Sequence, residues 1–81
     1  MVVQRSPEQA EQLVLDLIAG HADALLRTAR RNSLCADDAQ DAYQRGLEIL
    51  IRHAARLDAD RASGWLHKVV KHEALAINRA R

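Results

Sequence analysis

Four histidines, one cysteine and eleven carboxylates are the groups with which this 81-residue chain could do nucleophilic, acid–base or metal chemistry. Their spacing supports none of these. His72-Glu73 opens the His-Glu-x-x-His pattern that sets two imidazoles on one helix face around zinc, but position 76 is Ala. His67 and His72 stand five apart and diverge around a helix. His21 and His53 have no ligand neighbours in sequence. Cys35 is alone, so no internal disulfide can form, and neither a base nor an orienting group stands beside it. It reads as a small, at least half-buried residue between two helices. Asp37, Asp38 and Asp41 fall at a helix start, where carboxylates complement the macrodipole. The glycines stand singly at positions 20, 46 and 64, so no phosphate-cradling loop exists. No catalytic residue, metal set or cofactor is expected, and the chain is not expected to be an enzyme.

Charge points to binding instead. Residues 1–60 carry seven Lys/Arg and ten Asp/Glu, a net of −3, whereas residues 61–81 carry five and one, a net of +4. Lys68, Lys71, His72, Leu75 and Arg79 recur at three- and four-residue steps and form one mostly basic face, which Arg61 extends from the preceding loop. Cations tracking along a helix can neutralise successive phosphates, although a solvated face has the same pattern. Trp65, at the start of that helix, suits a core plug better than a stacking platform. An earlier helix has the opposite character. Asp38 and Asp41, then Gln44 and Glu48, project from it with Arg45 and Arg52 interleaved.

The elements that must position these faces are helical. Apolar residues make up 48% of the chain and charged residues 28%, with one Pro, no Phe, one Trp and one Tyr, which suits a soluble helical domain rather than a sheet or a disordered tail. A chain of this length buries only about 60% of its unfolded surface and makes one domain. Ser6-Pro7-Glu8-Gln9 reads as a capping box opening a first helix over 7–19, with Gly20 as its stop. A second spans 21–31, with Asn32-Ser33 breaking it. A third spans 37–57 on the stripe Ala39, Ala42, Tyr43, Leu47, Leu50, Ala54 and Leu57. Ser63 caps a fourth over 64–80, whose inner face is Leu66, Val69, Val70, Ala74 and Ile77. The expected architecture is all-α, a compact bundle of four helices in one domain over residues 1–81. No apolar run approaches the roughly 20 residues of a membrane span, and the start MVVQRSPEQ lacks the pattern of a signal peptide. A reducing, cytoplasmic setting follows as the default.

Two runs carry a resemblance. Asp38-Ala39-Gln40-Asp41-Ala42-Tyr43-Gln44-Arg45-Gly46-Leu47 and Gly64-Trp65-Leu66-His67-Lys68-Val69-Val70-Lys71-His72, joined by Leu57-Asp58-Ala59-Asp60-Arg61 and followed by Arg79 and Arg81, resemble in order and spacing the second conserved region of bacterial sigma factors, particularly the extracytoplasmic-function group. The resemblance covers Ala22 to Arg81. It implies that Asp38, Asp41, Gln44, Arg45 and Glu48 face the clamp helices of the RNA polymerase β′ subunit. It also implies that Arg61, Ser63, Lys68, Lys71, His72 and Arg79 hold the single-stranded minus-ten promoter element as it melts. The sequence departs from the family pattern in three places. Arg45 stands where an acid is usual, Leu47 where Phe is common, and His72 where Asn is usual. With two aromatics in all, stacking at several bases is unavailable.

The resulting expectation is a sigma-factor domain that binds core polymerase and promoter DNA without chemistry of its own. The competing reading is a sigma-mimicking module that engages an anti-sigma factor without promoter recognition. An independent helix-turn-helix, reading duplex DNA with its last helix, is a further alternative. No minus-thirty-five domain follows residue 81, so the chain reads as one domain of a longer factor or as a short relative.

Overall fold

In the computed structural model, residues 4–81 are described; Met1 to Val3, where the segment tested for a signal peptide begins, lie outside the described residues. Three helices follow in order: α1 over Pro7–Arg31, α2 over Ala36–His53 and α3 over Ala59–Arg79. Each packs against both others. The all-α class holds, but the expected four helices are three.

One local misreading accounts for the difference in number, and a second shifts a boundary. Gly20 does not stop a helix. No residue among those described has positive φ, so no glycine forms a left-handed cap, and α1 runs through position 20 for 25 residues. The apolar face explains this. Leu13, Val14, Leu17, Leu25 and Ala29 continue one stripe across Gly20, and all belong to or pack on the core. An interior glycine costs about 1 kcal/mol, less than the loss of a helix's worth of burial. The expected helices 7–19 and 21–31 are therefore one. The start of α1 is as expected: Ser6 Oγ accepts from the Gln9 amide at 3.2 Å, and Gln9 Oε1 accepts from the Ser6 amide at 3.0 Å.

The last helix begins five residues before the expected Gly64. Asp58, not Ser63, is its cap, its carboxylate accepting from the Asp60 amide at 3.0 Å. Ser63 lies inside the helix. The third expected helix is shorter than 37–57, because α2 ends at His53 and a turn over 54–56 follows. Cys35 occupies the N-cap of α2 but gives no side-chain cap, and it is exposed rather than half-buried.

Arg5 closes the other end of α2. Its amide donates to Ala55 O at 2.9 Å, and its Nη1 donates to Ala54 O at 3.1 Å and to Leu57 O. Helix C-termini leave carbonyls without intrahelical partners, and a guanidinium there satisfies them and opposes the negative end of the macrodipole.

The core lies where the three stripes meet. Leu25, Leu50, Leu66 and Val70 are its largest fully buried apolar side chains, with small residues Ala29, Ala39, Ala42, Ala62 and Ala74 between them. Gly46 sets the distance between α2 and α3. A Cβ at that position would lie 2.6 Å from Val70 Cγ2. Val70 is fully buried and β-branched, so it has little freedom to retreat.

Two glycine substitutions are expected to have opposite signs. Gly46→Ala should lower unfolding free energy by about 1–2 kcal/mol despite alanine's better helix propensity, and Val70→Ala in the same chain should recover part of that loss. Gly20→Ala meets nothing within 4 Å and should raise stability by about 0.5–1 kcal/mol. Urea titrations followed by circular dichroism measure both.

Candidate nucleic-acid interface

The early start of α3 changes its outer face. Arg61, expected in a loop, belongs to the first turn of the helix. Arg61, Lys68, Lys71, His72 and Arg79 are all exposed, and their spacings of seven, three, one and seven residues keep them on one side. From Arg61 to Arg79 the stripe extends about 27 Å at the helical rise. Among the described residues its sole ion pair is exposed and weak, Arg61 Nε to Asp58 Oδ2 at 4.0 Å. Ser63 is half-buried and off this stripe, though it joins Asp60, Arg61, Gly64, Trp65 and Lys68 around a shallow depression in the first turns of α3. Trp65 is half-buried, packs on the core and meets the His53 ring edge-on with centroids 5.7 Å apart.

On α2, Asp41, Gln44, Arg45 and Glu48 are exposed and together line a second shallow depression. Asp38 does not share it. Its side chain is only 2% exposed and accepts two hydrogen bonds from Arg81, one from Nε at 2.7 Å and one from Nη2. The guanidinium holds the Asp38 carboxyl below the usual carboxylate range against the opposing effect of burial. Position 38 lies in the first turn of α2, beside the end of α3, so the carboxylate that sequence placed on an outward face closes an internal bridge instead.

A polar seam between α1 and α3 also escaped the sequence reading. Thr28 Oγ1 lies 2.8 Å from His67 Nδ1, and Arg31 Nη2 approaches the same hydroxyl at 3.5 Å. With Arg31 supplying a proton, the Thr28 hydroxyl is free to donate to a neutral imidazole. Asn32 Nδ2 donates to Thr28 O and Asn78 Nδ2 donates to Asn32 O, each at 2.8 Å. Desolvation pushes the His67 pKa down, and the nearby charges of His21 and Arg31 push in the same direction. None of these partners is close in sequence to His67, so periodicity gives no sign of the seam.

Among the described residues no helix is long and apolar enough to cross a membrane, and no group of three metal-ligating side chains gathers. A family model described as sigma-70 region 2 matches residues 17–81. The chain belongs to the sigma-70 region 2 family. No curated protein and no solved structure matches it significantly. Sigma region 2 domains bind core RNA polymerase and promoter DNA, and membership places the exposed faces of α2 and α3 within a transcription-initiation domain.

Acid should destabilise this fold through two groups. His67 has a folded pKa below its unfolded value, so its contribution is complete above about pH 6.5 and is lost as pH falls through the folded value. Asp38 is likewise depressed, so its contribution is present above about pH 4 and disappears as pH falls through its lower folded value. The urea midpoint is expected to decline from pH 7 to pH 5, and His67→Gln to flatten that decline, as read by circular dichroism.

Proposed function

We propose that this chain acts as the core-binding and promoter-opening domain of a sigma factor of the extracytoplasmic-function type, working in the cytoplasm by binding and without catalysis. The outer face of α2, through Asp41, Gln44, Arg45 and Glu48, docks on the β′ clamp helices. The stripe Arg61, Lys68, Lys71, His72 and Arg79 on α3 carries the non-template strand of the minus-ten element, and the depression bordered by Ser63, Trp65 and Arg61 receives an unstacked base. Asp38 acts indirectly, by fixing the start of α2 against the end of α3.

The alignment of five exposed cationic or ionisable side chains along one side of α3, together with an exposed polar face on α2, is the observation that carries this reading. Phosphates are neutralised in series by such a stripe, while mixed charge on α2 gives register to a protein contact. Acidic residues stand at the start of the stripe, where Asp58 pairs with Arg61 and Asp60 lines the depression.

A second reading keeps the docking face and drops DNA: a sigma mimic captured by an anti-sigma factor. Two features favour it. Arg45 inverts a charge on the α2 face, and both aromatics, Tyr43 and Trp65, are committed to the core rather than offered for stacking.

Binding experiments separate the two. With core polymerase and a promoter carrying an unpaired minus-ten segment, Lys68→Ala and Lys71→Ala should each lower the slope of log affinity against log salt by about one. Unchanged slopes in both variants would reject the DNA-bearing role. Asp41→Arg should weaken capture of a β′ clamp-helix fragment by about tenfold at low salt; equal capture would move the docking face elsewhere.

A further inference from the structure

An apolar groove runs between the first three turns of α1 and the end of α2, away from both faces assigned above. Ala10, Val14 and Leu15 form one wall, and Ile51 and Ala54 the other. Leu15 is 52% exposed and Ile51 63%, two of the three large apolar side chains left in water among the described residues. Their position along one groove distinguishes them from scattered surface leucines. The α1 wall lies before residue 17, where the family match begins, so this surface is built largely from residues outside that match.

Its α1 rim is acidic. Glu11 lines it, and Glu8 stands one turn before Glu11 on α1. Both are exposed, and neither forms an ion pair among the described residues. Arg5, which precedes α1, is spent on the carbonyls of Ala54 and Leu57. That same contact pins the segment before α1 to the end of α2, so both walls are held in place before anything binds.

We propose that this groove receives an amphipathic helix of a partner protein, apolar along one side and bearing Lys or Arg at its flanks. A groove between two helices accepts a third helix through residues spaced three and four apart, and the carboxylate rim selects cationic flanks. Nucleic acid is repelled by the same rim. A second copy of this chain is a poor fit, because its cationic face, on α3, offers no exposed large apolar side chain.

The test uses the full chain, isotopically labelled, with a synthetic helical peptide of leucines and lysines and a matched peptide of leucines and glutamates. The leucine–lysine peptide should shift the Leu15 and Ile51 amides saturably, and the leucine–glutamate peptide should bind far more weakly. Leu15→Gln and Ile51→Gln should each reduce affinity about tenfold, and Glu11→Gln by a smaller factor. All three positions are exposed, so folding should persist, and the capture of the β′ clamp-helix fragment should not change. Equal affinity in the variants, equal binding of the two peptides, shifts confined to Asp41 and Gln44, or concentration-dependent shifts of the groove without peptide would each overturn the proposal. The last of these would assign the groove to self-association.

Discussion

The close approach of α2 and α3 at Gly46 governs the arrangement of everything on their outer surfaces. A side chain at position 46 would strike Val70, which is locked in the core. The two helices therefore lie backbone to side chain at this point, with Asp41, Gln44 and Glu48 on the side of α2 away from Gly46 and Lys68 and His72 on the side of α3 away from Val70. Because interiors are packed at crystal-like density, an added methyl here cannot be absorbed locally. It would be passed to the relative position of Asp41, Gln44 and Glu48 on one helix and Lys68 and Lys71 on the other. In the sequence Gly46 stands as an isolated glycine within the run that resembles the sigma region. Its importance depends on a residue 24 positions away.

Much of the fold was legible where the signal was local. The Ser6–Gln9 box, the α2 stripe and the inner face of α3 all follow from short-range spacing, and each is present. Errors arose where two local signals competed. Gly20 looked like a stop because glycine is a frequent helix terminator, yet the stripe from Leu13 to Ala29 outweighed it. Ser63 looked like a cap, but Asp58 offered an earlier one and the apolar Ala62 and Leu66 extended the burying face back towards it. The exposed residues of the interface were legible as helix faces. Asp38 was not, because its inward turn is decided by Arg81, 43 residues later. The Thr28–His67 seam was invisible for the same reason.

These long-range polar links share a location. Asp38–Arg81 joins the start of α2 to the end of α3, and the Thr28, Asn32, His67 and Asn78 contacts join the last turns of α1 to α3. Both lie towards the α1–α2 connection, while the apolar groove and the Arg5 contact lie towards the α2–α3 connection. One end of the bundle is thus held by side-chain hydrogen bonds between helices, and the other by the three Arg5 hydrogen bonds together with apolar contact that leaves two aliphatic side chains uncovered.

Arg5 gives the short stretch before α1 a duty that its position would not suggest. Three carbonyl oxygens just beyond α2, those of Ala54, Ala55 and Leu57, accept from that single residue, one through its amide and two through its guanidinium. A protease nick between Arg5 and Pro7 would do more than trim a frayed leader: it would release the α2–α3 connection from the start of α1.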